Sequence, residues 1–230
     1  MCIRSHIKLI PQGLEQQVEQ ELKRMLALGI IQFDATSSYN SPLVIVKKAD
    51  NSIRLCNNFI QLNAKTVTDQ YLMQNPHDII SRIGGALWPS RWDLRVCYWQ
   101  IPLSKQSQAY TAFKTQFGTF SYRVLPMSLS SSSSTCQILL EFVLQGTHRY
   151  SWVLVDDIIT YSKTFNEHLG HMRIMRDRIR KPGLTLHARK CHVTARKLNI
   201  FRFEISSGKV TPDDSKIQAV KNWTVPTTRK

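Results

Sequence analysis

The sequence predicts an α+β fold built around antiparallel strands. Apolar residues recur at helical spacing in residues 13–28 and again after residue 164, and short apolar runs bounded by turn residues lie between them. Consecutive strand candidates such as 43–48 and 53–57 are separated by only a few residues, which favours antiparallel pairing. With 42% hydrophobic residues, the 230-residue chain can bury a sizeable core, and this composition excludes a disordered tail.

The first part of the chain is predicted to begin with a helix. Its apolar face runs through residues 13–28, acidic residues precede basic ones as the helix dipole favours, and Gly29 supplies a stop. Two strands follow at 43–48 and 53–57, joined by a turn rich in Asp and Asn. Residues 59–90 are predicted to be irregular because proline and glycine interrupt them.

The second part of the chain is predicted to combine strands with two or three helices. The serine run 130–134 lies at a helix start, with a serine as the N-cap, because apolar residues follow it at helical spacing. Thr164 and Glu167 form a capping-box pattern that opens a helix to about Arg180. Thr211-Pro212 predicts the start of a last helix. The strands predicted here are 91–96, 109–115, 119–125, 151–155, 158–162 and one near 198–206.

The charge balance indicates a polyanionic partner. The chain has 31 Lys and Arg against 16 Asp and Glu, a formal charge of +15, and a pI of about 9.9. Such an excess on a folded body suits nucleic acid, although a solvated basic surface is the simpler alternative. No apolar run approaches the roughly 18–20 residues that a bilayer helix needs. The sequence therefore predicts no membrane partner, and it leaves the oligomeric state open.

Cysteine usage and the N-terminus indicate an intracellular protein, cytoplasmic or nuclear. The five cysteines are odd in number, widely spaced and without a C-x-x-C pair: Cys2, Cys56, Cys97, Cys136 and Cys191. This pattern argues against a disulfide framework and for a reducing compartment. Residues 1–12 carry basic side chains with no apolar block behind them, so we see no secretory or other targeting signal.

The pair Asp156-Asp157 interrupts two apolar runs that resemble buried strands. Two ionised carboxylates there would cost several kcal/mol each unless a cation neutralised them. Neighbouring strand residues point to opposite faces, so both side chains can reach one site only at the tip of a tight hairpin. The alternative is an exposed Asp-Asp turn. By contrast, Asp213-Asp214 follows Thr211-Pro212 and is predicted to cap a helix.

A third carboxylate, Asp93, lies in a similar strand context upstream. Carboxylates from two strands suit Mg²⁺, and two such ions about 3.5–4 Å apart stabilise the attacking and leaving oxygens of phosphoryl transfer. On a basic protein this pattern indicates nucleotidyl transfer. A zinc site is the competing hypothesis, but the spacing of its candidate ligands fits no known zinc motif: His168, His171, His187, Cys191 and His192.

Ordered motifs along the chain resemble those of the reverse transcriptase of Ty3/Gypsy-type retrotransposon polyproteins, from about residue 8 to 225. The motifs are Gly29-Ile30-Ile31, Ser41 to Lys48, Ile53 to Cys56, Leu62-Asn63, Asp93-Leu94, Tyr98 to Leu103, Thr111 to Phe113, Phe117-Gly118, Asp156 to Ile158, Gly183 to Leu186 and Lys190-Cys191. Their number and order make the resemblance specific.

The resemblance implies a right-hand polymerase with fingers, palm and an antiparallel palm sheet. The fingers would be 1–85 and 113–148, and the palm 86–112 and 149–210, with only the start of a thumb in 211–230. The implied activity is RNA-directed DNA synthesis, in which dNTPs are joined to a DNA primer on an RNA template. The implied cofactors are two Mg²⁺ ions, with Mn²⁺ as an alternative.

The resemblance also implies roles for individual residues. Asp93, Asp156 and Asp157 would be catalytic and would hold the metal ions. Arg54 and one of Lys47 and Lys48 would bind the incoming triphosphate, and Tyr98 would exclude a ribose 2′-hydroxyl. The remaining implied contacts, to primer and template, are those of Gln137 and Phe201.

Several motif positions depart from the family pattern, which keeps a second hypothesis open. Leu154 stands where the family has tyrosine, Ile60 replaces an arginine that faces the template, and a serine run replaces a block with glycine and proline. Glu204, in the primer-positioning segment, would repel a phosphate backbone. The alternative is therefore an inactive retrotransposon-derived remnant that binds nucleic acid electrostatically.

Overall fold

A computed structural model describes residues 9–67, 71, 75–195, 197–200, 203–206, 208–212, 218 and 222. The α-helices are α1 (Glu15–Ala27), α2 (Ile60–Asn63), α3 (Pro76–Ile83), α4 (Lys105–Gln108), α5 (Ser132–Val143) and α6 (Phe165–Arg180). Short 3₁₀ helices are Gln12–Leu14, Cys97–Gln100, Ala109–Thr111 and Ala188–Lys190. The strands are β1 (Ile31–Phe33), β2 (Leu43–Lys47), β3 (Ile53–Asn57), β4 (Trp88–Asp93), β5 (Phe113–Thr115), β6 (Gly118–Tyr122), β7 (Ser151–Leu154), β8 (Asp157–Ser162), β9 (Lys197–Ile200), β10 (Phe203–Ser206) and β11 (Lys209–Pro212).

The described residues divide into two compact units. The first unit comprises those of Met1–Tyr71 and Val96–Cys136, and the second those of Leu72–Arg95 and Gln137–Lys230. The predicted fingers and palm boundaries remain a prediction, since this division follows chain compactness and not function.

The first unit is built on two small antiparallel sheets, one of order β1-β6-β5 and one that pairs β2 with β3. Helix α1 buries Val18, Leu22 and Met25, which are at most 2% exposed, in the core of this unit. Their i, i+4, i+7 spacing puts them on one helix face, so burial of that face stabilises the helix. Phe113 and Phe120, on β5 and β6, pack in the same core.

The second unit is built on two antiparallel sheets of order β4-β8-β7 and β11-β10-β9. Helix α6 packs against β8 and begins at Thr164, whose side chain and that of Glu167 form the predicted capping box. The core of this unit includes Ile159 of β8 and strand residues Leu198 and Ile205. This arrangement places the central strand β8 between two partners and fixes its register.

Most of the predicted elements are confirmed, and four predictions are wrong. Residues 59–90 are not wholly irregular, because α2 and α3 form there and β4 begins at Trp88. Pro89 is tolerated because β4 lies at the edge of its sheet. The strand predicted at 109–115 begins with a 3₁₀ helix, and the one near 198–206 is two antiparallel strands, β9 and β10.

The fourth correction concerns the last helix, which was predicted to start at Thr211-Pro212. Both residues instead end β11, where Thr211 is paired with Glu204 of β10. Strand pairing with β10 therefore takes the place of the helix start and side-chain cap that the sequence predicted here. The Asp213-Asp214 pair that follows lies outside the described residues.

The cysteines also differ from expectation. Cys97 and Cys136 form a disulfide within the first unit, whereas Cys56 and Cys191 are free. The sequence did not indicate this pairing, because 39 residues separate the two cysteines. In the part of the chain described here, no helix is long and apolar enough to span a bilayer.

Candidate active site

Three predicted carboxylates lie at one end of the β4-β8-β7 sheet. Asp93 is the last residue of β4 and stands opposite Asp157, the first residue of β8. Asp156 lies in the two-residue loop between β7 and β8, in the segment that we call the carboxylate hairpin, Ser151–Ser162. The predicted tight hairpin is confirmed, but its two-residue tip is Val155-Asp156, and Asp157 is the first residue of β8. The exposed-turn alternative applies only to Asp156, since Asp157 is half-buried.

The tip of the carboxylate hairpin has a strained backbone, and a side chain of α5 binds that backbone. Val155 has φ of 54°, a left-handed conformation that β-branched residues rarely adopt. Its N–H donates to Oε1 of Gln137 at 2.7 Å, and Nε2 of Gln137 donates to the carbonyl of Val153 at 3.0 Å. Gln137, which is 1% exposed, thereby fixes the backbone on the N-terminal side of Asp156.

Arg91 neutralises Asp157. Its Nε and Nη2 donate to Oδ1 of Asp157 at 2.8 Å and 2.6 Å. Burial raises the pKa of the Asp157 carboxyl above its ordinary value, and the charges of Asp156 and Asp93 add to that rise, whereas Arg91 opposes it. The three carboxylates are thus close enough to influence one another electrostatically.

The backbone of Asp93 is anchored by the segment that ends in the 3₁₀ helix Ala188–Lys190. The N–H of His187 donates to the carbonyl of Asp93 at 2.8 Å, and the N–H of Asp93 points to Sγ of Cys191 at 3.4 Å. Leu94 and Leu186 form an adjacent bridge. These contacts hold the backbone at the end of β4 on the side opposite to β8.

The donor chemistry of this site suits a divalent cation, since Mg²⁺ and Mn²⁺ prefer carboxylate oxygens. Within the described ranges, however, no three His, Cys, Asp or Glu side chains converge closely enough to hold a metal ion. That finding also leaves the zinc hypothesis without support. His168 and His171 both contact Oγ of Ser162, whereas Cys191 contacts the backbone of Asp93.

The predicted triphosphate residues lie in the first unit. Lys48 and Arg54 line a cavity of about 140 Å³ together with Arg24 and Trp99. Of the two lysines that the sequence left open, Lys48 is therefore the one that shares a cavity with Arg54. Both side chains are exposed, so they can reach an anionic ligand at little desolvation cost.

Tyr98 lies on the 3₁₀ helix Cys97–Gln100, which starts after Val96 with φ of 49°. Its hydroxyl is 3.3 Å from Oγ of Ser133, at the start of α5. The serine run is therefore an ordered part of the first unit and not a flexible linker. The Cys97–Cys136 disulfide links the same helix to α5.

The two predicted primer and template residues have different outcomes. Gln137 is buried and binds the backbone of the carboxylate hairpin, as described above, and Phe201 lies outside the described residues. Glu204, predicted to repel a phosphate backbone, is neutralised by Lys197, whose Nζ is 2.6 Å from Oε2 of Glu204. That ion pair offsets the negative charge of Glu204, and the predicted repulsion stays a prediction.

Sequence reasoning missed Arg91 and Cys191 as neighbours of the carboxylates. Arg91 could have been found, because it lies two residues before Asp93 on a strand and therefore on the same face. Cys191 offered no such signal, since its contact with Asp93 joins residues 98 positions apart.

Comparison with known proteins identifies the family. The family model described as reverse transcriptase (RNA-dependent DNA polymerase) matches residues 45–212. The chain belongs to this reverse transcriptase family. It is 28% identical over 227 residues to the retrovirus-related Pol polyprotein from transposon 297 of Drosophila melanogaster, covering 96% of this chain and 21% of that protein. It is 27% identical to the enzymatic polyprotein of figwort mosaic virus (strain DxS), covering 93% of this chain and 32% of that protein.

Solved reverse transcriptase structures share the fold. A foamy viral protease-reverse transcriptase in complex with double-stranded DNA superimposes with a TM-score of 0.86 at 21% identity, covering 97% of this chain and 38% of that one. The same kind of protein in complex with an RNA/DNA hybrid gives a TM-score of 0.84 at 20% identity, covering 96% and 30%. The fold is therefore that of polymerase fingers and palm, and the chain spans about a third or less of its curated relatives' length.

Proposed function

We propose that this reverse transcriptase domain is an RNA-directed DNA polymerase that joins dNTPs to a primer 3′-hydroxyl on an RNA template. The observation that carries the proposal is the register of β4 and β8, which sets Asp93 opposite Asp157 with Asp156 in the adjoining turn. Three carboxylates at one sheet end are the donor set that nucleotidyl transfer requires. The positive charge of the whole chain, +15, favours a polyanionic template and primer.

In this proposal, Asp93, Asp156 and Asp157 would hold two divalent ions, Mg²⁺ or Mn²⁺, once their side chains turn toward one another, since as described they do not converge closely enough to hold a metal ion. Bound there, the ions would ease deprotonation of the primer 3′-hydroxyl and neutralise the pyrophosphate leaving group. Asp156 is exposed and Asp157 half-buried, so the pair offers oxygens on the solvent side of the hairpin tip. Gln137 holds the backbone before Asp156 and limits its movement.

The first unit supplies the nucleotide contacts in this proposal. Arg54 presents a forked guanidinium and Lys48 a point charge, and together they can bind the oxygens of a triphosphate. Tyr98 would discriminate against a ribose 2′-hydroxyl by steric exclusion. Its hydroxyl lies 3.3 Å from Oγ of Ser133, a contact that restrains the ring.

Primer extension tests the proposal. The wild-type chain is incubated with an RNA template, a labelled DNA primer and dNTPs in Mg²⁺ or Mn²⁺, beside the double variant Asp156→Asn/Asp157→Asn. We expect cation-dependent extension by the wild type and a loss of at least about 1,000-fold in the double variant, because oxyanion and metal stabilisation supplies several kcal/mol. Asp177→Asn, on the exposed surface of α6, is the matched control and should extend normally.

The same samples distinguish the alternative function. Template binding measured against salt concentration should persist in the double variant, since phosphate contacts come from Lys and Arg side chains. Salt-sensitive binding with no extension by the wild type would contradict polymerase activity and would favour the inactive, nucleic-acid-binding remnant.

A further inference from the structure

A cavity of about 390 Å³ lies at the end of β8 that is opposite to the proposed catalytic carboxylates. Strand β8 begins at Asp157 and ends at Ser162, which lines the cavity, so roughly 17 Å of strand separates the two places. The other walls come from the end of α3, the turn before β7 and the first two turns of α6. All of these elements belong to the second unit. Concave sites of this size hold small ligands, so this cavity is a candidate binding site of its own.

Three cationic side chains line this cavity, and each comes from a different element. Arg82 lies in the last turn of α3, Arg149 in the turn before β7, and Lys163 directly after β8. All three are exposed, and in the described part of the chain none of them forms an ion pair. By contrast, Arg91 and Arg176 of the same unit are each paired with an aspartate. The cations at the cavity are therefore available to an anion from outside the protein.

Acidic groups do not balance this charge. Glu167 is the only acidic residue among the described residues that line the cavity, and its Oε2 already accepts a hydrogen bond from the N–H of Thr164 at 3.2 Å in the capping box of α6. Burial lowers the pKa of His171, against the influence of Glu167, so this ring is largely neutral above pH 7. The cavity thus has a net positive charge, which favours an anion with more than one negative charge.

An aromatic surface lies beside the three cations. The rings of Tyr150 and His171 stack with their centroids 3.7 Å apart and their planes parallel, and both rings line the cavity. Nδ1 of His171 lies 2.8 Å from Oγ of Ser162, which also contacts Nδ1 of the buried His168 at 2.9 Å. These contacts hold the stacked pair in place before any ligand arrives. A flat heterocycle can pack on such a surface while an attached phosphate reaches the cations.

We propose that this cavity binds a mononucleotide, with its phosphate among Arg82, Arg149 and Lys163 and its base against the Tyr150–His171 pair. The two arginines supply forked donors for phosphate oxygens, and the lysine supplies a point charge. No carboxylate of the proposed catalytic site and no cation of the first unit takes part. The inference therefore goes beyond the proposed function and depends neither on that function nor on a metal ion.

Calorimetric titration of the full chain with adenosine 5′-monophosphate tests the inference. A chelator is present throughout, so that any binding is independent of divalent cations. We expect Arg82→Gln/Arg149→Gln to bind the nucleotide at least about tenfold more weakly than the wild type, because two charge-assisted contacts are lost. The matched control Arg178→Gln/Arg180→Gln removes the same charge from the exposed last turn of α6 and should stay within about twofold of the wild type.

Parts of the nucleotide test each wall of the cavity separately. Inorganic phosphate should bind more weakly than the monophosphate and should lose affinity in Arg82→Gln/Arg149→Gln, whereas adenosine should not bind measurably. Tyr150→Leu should weaken binding of the monophosphate by roughly tenfold and leave that of phosphate unchanged, because it removes only the aromatic surface. Unchanged phosphate binding also shows that this variant is folded.

A measurement on the wild type covers the case in which a variant does not fold. The monophosphate should shift the ring NMR resonances of His171 with saturation, because the base packs beside that ring. The resonances of the exposed His192, which does not line the cavity, should stay in place.

The outcomes separate this inference from the proposed function. Equal binding by Arg82→Gln/Arg149→Gln and the wild type, equal binding of adenosine and its monophosphate, or no binding at all would overturn the inference and leave primer extension by the wild type unaffected. Loss of monophosphate binding in Arg54→Ala instead would assign the nucleotide to the cavity of the first unit and would also overturn the inference. Failure of primer extension with monophosphate binding intact would overturn the proposed function alone.

Discussion

The two units of the molecule differ in the exposure and pairing of their proposed functional charges. In the first unit, the cations Lys48 and Arg54 are exposed at a cavity, where solvent can screen their charge. In the second unit, the half-buried carboxylate of Asp157 is bound by Arg91, and the turn beside it is held by the buried Gln137. Exposed charges are free to bind a ligand, whereas buried ones must be organised before the ligand arrives.

Different kinds of contact link elements within the two units. The first unit links its 3₁₀ helix Cys97–Gln100 to α5 by a disulfide. The second unit contains a buried network in which His168, fully buried, contacts Oγ of Ser90 at 2.8 Å and Oγ of Ser162 at 2.9 Å. Changes in the first unit should therefore alter nucleotide affinity or cross-link stability, and changes in the second unit should alter site geometry and pH response.

Loss of the Cys97–Cys136 disulfide should have the largest effect on stability. Closing a loop of 39 residues stabilises the folded state by about 4 kcal/mol in the chain-entropy estimate. We expect Cys97→Ser/Cys136→Ser, or reductant with the wild type, to lower the denaturant midpoint accordingly. Cys56→Ser, which removes a free cysteine, is the control and should leave the midpoint unchanged. Identical midpoints with and without reductant would contradict the covalent link.

The second-largest effect on stability should come from Gln137→Ala, which should also lower the turnover number. The change leaves the N–H of Val155 and the carbonyl of Val153 without their side-chain partner, which costs about 2–3 kcal/mol. Because Val155 precedes Asp156, we expect the turnover number in primer extension to fall more than the affinity for dNTP. Gln145→Ala, at an exposed position beyond α5, is the control. An unchanged turnover number in Gln137→Ala would contradict the claim that the buried contacts of Gln137 position the catalytic site.

The exposed cations of the first unit should affect nucleotide affinity alone. Arg54→Ala and Lys48→Ala should each raise the KM for dNTP by roughly 30-fold, the equivalent of about 2 kcal/mol for a lost charge-assisted contact. Folding stability should change by less than about 0.5 kcal/mol, since both side chains are exposed. Lys47→Ala is the matched control. A larger KM effect for Lys47→Ala than for Lys48→Ala would reverse the assignment.

The smallest predicted effect is the response of the second unit to acid. Burial lowers the pKa of His168, and the neighbouring His171 lowers it further, so the folded state binds this proton less readily than the unfolded chain. Stability is therefore full above the unfolded pKa of about 6.5 and falls as the pH drops below it. We expect the unfolding temperature to fall between pH 7.5 and 5.5, and less so in His168→Gln. The exposed His148→Gln should behave as the wild type.

Much of the fold and of the carboxylate site could be predicted from local sequence signals. The capping box at Thr164, the apolar face of α1 and the Asp-Asp pair between two apolar runs each involve residues within a few positions of one another. Such signals reflect backbone geometry and burial, which the sequence records directly.

The contacts that complete the site could not be predicted in the same way. Arg91 meets Asp157 across 66 residues, and Cys191 meets Asp93 across 98, so both depend on strand pairing. The predicted helix start at Thr211-Pro212 failed for the same reason, because β10 supplied a strand partner that outweighed a local capping pattern. Gln137 was singled out by resemblance, but its buried contacts with the hairpin required the tertiary structure.

Single-nucleotide incorporation by Asp93→Asn tests the central claim that β4 and the carboxylate hairpin form one site. Asp93 lies on β4, whereas Asp156 and Asp157 lie on the carboxylate hairpin, and the β4–β8 register brings Asp93 opposite Asp157. Groups that act as a unit are not additive, so Asp93→Asn should lose about as much turnover as Asp156→Asn/Asp157→Asn, and the triple variant should lose little more. Normal incorporation by Asp93→Asn, with extension abolished in the double variant, would contradict a single site built from both strands.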